Sequence, residues 1–134
     1  MKNLINAAKT AMENAYAPYS GFRVGAALLC ADGSVYTGCN VENAAYGATN
    51  CAERTAIFKA VSEGKRDFTA IAICGGKEGH ITHICPPCGT CRQVMGEFCG
   101  DDFAVYLQGE EGNIQKYTLG ELLPSRFGLE NCCE

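Results

Sequence analysis

The fold is decided by the stretch NCAERTA, residues 50–56. Asparagine is a preferred helix N-cap and an apolar run with helical spacing follows it, so Asn50 is the predicted cap of a helix from Cys51 to about Glu63. This start places the Cys51 thiol and the Glu53 carboxylate two residues apart in the first turn. The β-branched and aromatic residues that follow the helix predict a buried strand. The stretch therefore opens a helix that leads into the centre of a sheet.

The second organising stretch is PPCGTCRQ, residues 86–93. Its Cys88 and Cys91 form a Cys-x-x-Cys pair, a spacing that lets two thiolates from one turn bind one zinc ion. With Cys51 they supply three ligands and leave the fourth position open, which is typical of a catalytic zinc site. Glu53 is then the predicted general acid and base beside the metal.

The remaining elements indicate an α/β protein. Strands and helices alternate in the centre of the chain, which implies right-handed crossovers and parallel pairing inside the sheet. We expect a three-layer α-β-α sandwich with a mixed sheet of about five strands, folded as a single domain over residues 1–134. The predicted helices cover residues 3–16, 51–63 and 89–98, with a short one opened by a capping box at 118–121, and the predicted strands cover residues 24–30, 35–40, 68–75, 103–107 and 114–117.

Composition narrows the class of function. The formal net charge is −4 and the pI is near 5.2, which argues against electrostatic binding of nucleic acid. No apolar run approaches the roughly 20 residues that a membrane-spanning helix needs. Ten cysteines without a recognisable secretion signal favour a reducing compartment. We therefore expect a cytoplasmic protein with neither a nucleic acid nor a membrane as its partner.

Two alternatives remain open for the motif residues. Cys85 and Cys88 also have Cys-x-x-Cys spacing, so four cysteines could hold a purely structural zinc ion. Glu53 could serve only as the acid of a capping box with Asn50. Other roles are expected for the remaining candidate ligands: solvated loop histidines (His80, His83), core thiols (Cys30, Cys39, Cys74, Cys99) and thiols on a C-terminal tail (Cys132, Cys133).

Five motifs together resemble the small homotetrameric cytidine deaminases, in the same order and over almost the whole chain. They are GAA at 25–27, NVENA at 40–44, CAERTA at 51–56, PCGTCRQ at 87–93 and ELLP at 121–124. The resemblance implies a cytidine deaminase-like fold and one zinc ion per chain. It also implies hydrolytic deamination of cytidine and 2′-deoxycytidine to the uridines, with release of ammonia, in pyrimidine salvage.

The resemblance further implies a role for individual residues. Cys51, Cys88 and Cys91 would bind zinc, and Glu53 would carry the proton. The chain would assemble as a homotetramer with active sites shared between subunits. Nucleoside contacts would come from the same chain (Phe22, Asn40, Glu42, Ala52) and from neighbouring chains (Ala44, Tyr46, Phe127), with Arg54 and Gln93 supporting the zinc ligands.

Sequence pattern alone is less specific about the substrate contacts. Asn40 and Glu42 at the end of a strand point to one face, where an amide and a carboxylate could share a diol or serve as a loop cap and a solvated acid. Phe22 and Phe127 would on pattern alone be ordinary core aromatics. Two other functions also stay open: a deaminase of another cytosine nucleoside, such as a nucleoside antibiotic, and a non-catalytic zinc-binding module.

Overall fold

The computed structural model describes the backbone of residues 2–132 and the side chains of residues 2–131. Of the two cysteines predicted on a tail, Cys132 ends a short helix and its side chain lies outside the described residues, as does the whole of Cys133. The helices are α1 (Lys2–Met12), α2 (Ala52–Ser62), α3 (Gly89–Phe98), α4 (Leu119–Leu122) and α5 (Leu129–Cys132), and the strands are β1 (Phe22–Cys30), β2 (Val35–Cys39), β3 (Phe68–Lys77), β4 (Ala104–Gln108) and β5 (Ile114–Thr118). None of the helices in this part of the chain has the length and apolarity to cross a bilayer.

The described strands form one mixed sheet in the order β2-β1-β3-β4-β5. β1 pairs antiparallel with both β2 and β3, and β4 pairs antiparallel with β5. Only β3 and β4 pair in parallel, and α3 forms the crossover that joins them. The predicted mixed sheet is therefore confirmed.

Side chains of β3 alternate between two cores, which gives the sandwich its three layers. Ile71 and Ile73 pack with helices α2 and α3 on one face of the sheet. Ala70 and Ala72 face α1 on the other. The residues toward α1 are small, so that helix can approach the sheet closely. The α2/α3 face carries the larger side chains and also the two zinc motifs.

Two glycines allow the helices to lie directly on the hairpin. A Cβ atom placed on Gly25 would lie 2.0 Å from the carbonyl oxygen of Ala8 in α1. One placed on Gly38 would lie 2.6 Å from the Ala52 carbonyl and from the Ala56 amide of α2. Both distances are below van der Waals contact, so only glycine fits. Gly38 thereby sets the position of the helix that carries the first zinc motif.

The predicted extent of α1 is wrong at its C-terminal end. The helix ends at Met12 instead of continuing to residue 16. The Tyr16 amide donates to the Asn40 carbonyl, and the Glu42 amide donates to the Tyr16 carbonyl. Tertiary hydrogen bonds with the segment after β2 therefore override the helical spacing of the apolar residues.

The other boundaries agree with the predicted ones to within two residues. β1 and β3 extend two residues further than predicted because Phe22 pairs with Lys77 at the end of the ladder. The capping box before α4 is confirmed: Thr118 accepts from the Glu121 amide, and the Glu121 side chain accepts from the Thr118 amide.

Candidate active site

The two zinc motifs meet because each begins a helix on the same face of the sheet. Cys51 is the N-cap residue of α2 and Cys88 is the N-cap residue of α3, both with extended backbone. Neither side chain makes a capping hydrogen bond. A cysteine thus occupies the position where serine or aspartate usually satisfies the helix, and its sulfur remains available to a metal.

The prediction that Asn50 caps α2 is wrong. The helix begins one residue later than expected, and the Asn50 side chain donates to the Thr55 hydroxyl at 3.0 Å. That hydroxyl in turn donates to the Cys51 carbonyl at 3.1 Å. Without an asparagine cap at Asn50, a capping box with Glu53 does not form, and the alternative role for this carboxylate loses its basis.

Three sulfur atoms lie in one cluster at the helix N-termini. The Sγ atoms of Cys51 and Cys88 are 3.7 Å apart, and those of Cys88 and Cys91 are 3.5 Å apart. All three lie within 4.8 Å of one another, and among the described residues this is the one His/Cys/Asp/Glu group close enough to share a metal ion. Three soft thiolate donors fit zinc in tetrahedral coordination with one position left over.

Arg54 lies beside the cluster on the first turns of α2. Its Nη2 atom donates to the Cys51 sulfur at 3.2 Å. Its Nε atom is buried and, within the described part of the chain, makes no hydrogen bond. Support of a zinc ligand by Arg54 stays a prediction, and this contact places its positive charge where it would offset part of the negative charge of zinc-bound thiolates.

Within the cluster, the surroundings of Cys51 favour loss of its thiol proton. The Cys91 thiol donates to Cys51 and the Arg54 guanidinium lies close by, which together lower the pKa of Cys51 to about 5 despite its burial. The pKa of Cys91 is raised in turn, because its proton is shared with Cys51 and its sulfur is buried. Positive ends of two helix dipoles also point at this cluster. The arrangement therefore stabilises the thiolate of Cys51, and thiolate is the form that binds zinc.

Glu53 is buried next to the thiols. Only 4% of its surface is exposed. Burial raises the pKa of its carboxyl to about 7, and the nearby Cys51 sulfur acts in the same direction. A carboxyl with a pKa near neutrality can both accept and return a proton at physiological pH.

The alternative zinc ligands lie elsewhere. Cys85 is outside the three-sulfur cluster, and burial raises the pKa of its thiol to about 12. His80 and His83 are exposed, as expected for solvated loop residues. Three of the predicted core thiols are buried, those of Cys30, Cys74 and Cys99. The fourth, Cys39, is only half-buried.

Asn40 and Glu42 both point toward the chain around the start of β1. The Asn40 amide donates to the Phe22 carbonyl at 2.8 Å and accepts from the Val24 amide at 2.9 Å. One N–H and one lone pair of this side chain remain for a ligand. The Glu42 carboxylate is half-buried and bound by the loop before β1.

The aromatic residues are more exposed than their sequence context indicated. Phe22 is 40% exposed and Phe127 is 59% exposed, so the interpretation of both as core aromatics is wrong. Gln93 does not contact a ligand sulfur; its amide donates to the Phe127 carbonyl at 2.9 Å. Gln93 thus links α3 to the C-terminal segment, and its support of the zinc ligands stays a prediction.

The other predicted contact residues divide into buried and exposed positions. Ala52 is fully buried with its methyl group in the core, so a contact to a nucleoside would have to come from its backbone. Ala44 and Tyr46 lie on the exposed loop after β2, and Tyr46 is 78% exposed. A cavity of about 290 Å³ lies between that loop and the loop before β1, with Glu42 in its wall.

Ser20 also belongs to this site, although no sequence motif indicated it. Its hydroxyl donates to the Glu42 carboxylate and accepts from the Phe22 amide. Its place next to Gly21 gives no local signal for this role.

Comparison with known proteins agrees with this site. The family model described as "Cytidine and deoxycytidylate deaminase zinc-binding region" matches residues 1–107. The chain is 56% identical to a protein named cytidine deaminase from Halalkalibacterium halodurans, covering 96% of this chain and 94% of that one. It is 52% identical to a cytidine deaminase from Sporosarcina psychrophila, covering 98% and 93%.

A solved structure shows the same fold. A crystal structure of cytidine deaminase from Burkholderia pseudomallei superimposes with a TM-score of 0.87 at 50% identity, covering 94% of this chain and 98% of that chain. The family model includes all three clustered cysteines and Glu53 within its matched range. Because sequence and fold agree over most of its length, the chain belongs to the family of cytidine and deoxycytidylate deaminases.

Proposed function

We propose that this protein is a zinc-dependent hydrolase that converts cytidine and 2′-deoxycytidine into uridine and 2′-deoxyuridine. The observation that carries the proposal is the cluster of three thiols at two helix N-termini with Glu53 buried beside it. A purely structural zinc site would require a fourth protein ligand and no acid. The family relationship also weighs against a non-catalytic zinc module.

Cys51, Cys88 and Cys91 would hold the zinc ion, one per chain. The donor set fits, because the three sulfurs lie within 4.8 Å of one another and Arg54 offsets their charge. Bound there, zinc supplies Lewis acidity that activates water for hydrolysis.

Glu53 moves the protons of the reaction. Its carboxyl accepts the two protons of the attacking water in turn and delivers one to N3 of the cytosine ring and one to the leaving amino group, which departs as ammonia. Water supplies the new carbonyl oxygen, so the products balance without a redox partner. A pKa of about 7 suits both halves of this transfer.

The sugar would lie against the loop around the start of β1. Asn40 has one free N–H and one free lone pair, and Glu42 has a fixed carboxylate, so both can bind sugar hydroxyls. Phe22 is exposed beside them and offers an aromatic face to the nucleoside. Ala52 would contribute through its backbone.

Neighbouring chains would complete each site. Tyr46 and Phe127 are large aromatic residues with 78% and 59% of their surface exposed. Aromatic residues are enriched in the surfaces that proteins bury against a partner. We place them, with Ala44, in the active sites of adjacent subunits of a homotetramer, and we treat residues 1–134 as one deaminase domain.

The cellular setting follows from the thiol chemistry. Eight cysteines of the described residues are free, and thiolate ligands persist best in a reducing compartment. We therefore place the enzyme in the cytoplasm, where it would act in pyrimidine salvage on free nucleosides. A net charge of −4 gives no support to a nucleic-acid substrate.

Ultraviolet absorbance tests the function directly. The purified protein should change the spectra of cytidine and 2′-deoxycytidine into those of the uridines, with one ammonia released per turnover. Free cytosine and CMP serve as matched substrates that lack the sugar or add a phosphate. Absence of conversion of both nucleosides by zinc-loaded protein would refute the proposal, and faster conversion of CMP would assign the enzyme to nucleotides.

A further inference from the structure

The loop between α1 and β1 is built onto the segment that follows β2. The Tyr16 amide donates to the Asn40 carbonyl at 3.0 Å, and the Glu42 amide donates to the Tyr16 carbonyl at 2.8 Å. At the other end of the loop, the Glu78 amide donates to the Gly21 carbonyl. The loop is therefore held at both ends by backbone hydrogen bonds.

The centre of this loop surrounds the Glu42 carboxylate. One oxygen, Oε1, accepts from the backbone amides of Tyr19 at 2.9 Å and Ser20 at 3.0 Å. The other oxygen, Oε2, accepts from the hydroxyl of Ser20. A carboxylate offers about four acceptor sites, so the loop uses three and leaves the remaining capacity on Oε2.

The Ser20 hydroxyl makes a second bond that links two parts of the site. Its Oγ atom accepts from the Phe22 amide at 3.0 Å while it donates to Glu42. The Ser20 carbonyl is held in turn by the Lys77 ammonium at 2.5 Å. A single exposed hydroxyl thus connects the carboxylate of Glu42 with the backbone of Phe22.

We propose that Ser20 is a positioning residue that determines how strongly the enzyme selects substrates carrying sugar hydroxyls. This inference rests on the proposed function, in which Glu42 binds those hydroxyls. Ser20 does not itself contact the substrate. Its hydrogen bond to Oε2 fixes the rotation of the Glu42 carboxylate, so the free lone pair of Oε2 has a fixed direction.

Two physical effects support this role. Hydrogen bonds from Ser20 lower the pKa of the Glu42 carboxyl, with Lys77 acting in the same direction, so the group remains an anionic acceptor. Preorganisation also matters, because a carboxylate on three rotatable bonds would otherwise lose conformational freedom each time a substrate binds. The two backbone amides on Oε1 fix one end of the carboxylate, and the hydroxyl on Oε2 fixes the other.

The test compares cytidine with 2′,3′-dideoxycytidine, which lacks both sugar hydroxyls. In Ser20→Ala, kcat/KM for cytidine should fall about tenfold, the scale of a lost hydrogen bond to a charged group. The value for the dideoxy analogue should change less than twofold. A residue that merely stabilises the fold would lower both values together. Ser20→Gly removes the same hydroxyl and replaces the alanine variant if that protein does not fold.

Two further variants complete the design. Ser20→Thr keeps the hydroxyl and should retain most of the activity on cytidine. Ser34 makes a similar pair of hydrogen bonds, through its amide and its hydroxyl, to Asp32 in the β1–β2 turn. This turn is far from the site, so Ser34→Ala should leave kcat/KM for both substrates unchanged. Zinc content and melting temperature should be equal in all variants.

Glu42→Ala separates failure of this inference from failure of the proposed function. Glu42→Ala should lower kcat/KM for cytidine and leave the value for the dideoxy analogue nearly unchanged. If it does so, but Ser20→Ala lowers kcat/KM for both substrates equally or for neither, Ser20 is not a positioning residue. A threonine variant as impaired as the alanine variant would also overturn the inference. If Glu42→Ala itself fails to distinguish the two substrates, the proposed sugar contact is wrong and the inference falls with it.

Discussion

The Nη2 atom of Arg54 lies 3.2 Å from the sulfur of Cys51, the N-cap residue of the helix that carries Arg54. The i, i+3 spacing brings the two side chains onto one face of α2. The same guanidinium has a buried Nε atom without a hydrogen-bond partner in the described part of the chain. Such a position is costly for a cation unless negative charge lies beside it, and the Cys51 sulfur, with its lowered pKa, supplies that charge.

Arg54→Gln should weaken zinc retention by roughly tenfold or more, because the thiolates lose their neighbouring positive charge. Competition with a chromophoric chelator measures the affinity. The matched control is Arg66→Gln, which removes a guanidinium that binds only backbone carbonyls beyond the end of α2. Equal zinc affinity in Arg54→Gln and the wild-type protein would show that Arg54 does not support the metal.

Alanine at Cys51, Cys88 or Cys91 should abolish the single zinc ion, whereas Cys85→Ala should keep it. The reason is that the three sulfurs form one cluster and Cys85 lies outside it. Metal analysis by mass spectrometry on gel-filtered protein gives the stoichiometry. Loss of zinc from Cys85→Ala would instead indicate a structural zinc site with Cys85 as its fourth ligand.

Glu53→Gln should lower turnover of cytidine by at least ~10²-fold while zinc content stays at one per chain, because an amide cannot carry the proton. Glu63→Gln is the matched control: it lies at the other end of α2, where its carboxylate accepts from the Tyr36 hydroxyl. Near-normal turnover in Glu53→Gln would remove this residue from the chemistry.

Gly38→Ala should destabilise the protein by about 1–3 kcal/mol, the usual range for an overpacked core, and should also reduce zinc content. The added methyl would lie 2.6 Å from the backbone of α2, so that helix has to move. Thermal unfolding and metal analysis measure the two effects. Gly100→Ala, where nothing lies within 4 Å of the new methyl, is the control. An unchanged zinc content with normal stability would mean that α2 tolerates the shift.

Phe127→Ala should raise KM for cytidine, because an aromatic face against a base contributes roughly 1–3 kcal/mol, while zinc content is unaffected.

Reassembly of mixed oligomers from Phe127→Ala and Glu53→Gln tests whether active sites are shared between chains. Some mixed sites would combine an intact Glu53 with an intact Phe127 from a neighbour, so the efficiency per intact Glu53 should exceed that of Phe127→Ala alone. Confirmed mixed oligomers without recovery would assign Phe127 to its own chain.

Local pattern was sufficient for most of the fold and for the metal. The strands around residues 71 and 105 are apolar runs bounded by turn residues, and the capping box at Thr118 is a four-residue signal; each depends on near neighbours. The same holds for Cys88 and Cys91, whose ligand spacing lies within one helical turn.

Long-range hydrogen bonds account for the errors. The end of α1 is decided by Tyr16 and Asn40, which are far apart in the sequence and adjacent across the sheet edge. The wrong prediction of Asn50 as a helix cap has a similar cause at shorter range. The Asn50 side chain donates a hydrogen bond to the Thr55 hydroxyl instead of binding the helix N-terminus. Exposure of Phe22 and Phe127 likewise depends on which surfaces the packed elements leave uncovered.

The sequence by itself therefore determined the α/β class, the three thiols and the acid beside them, because these depend on residue type and on spacings within single elements. Only the tertiary structure decided which groups surround each of those side chains. It buries Glu53, which raises its pKa. It turns Gln93 toward Phe127, and it brings Ser20 to Glu42 from 22 residues away. Burial and hydrogen bonding between distant segments exist only once the chain has packed, so no local pattern contains them.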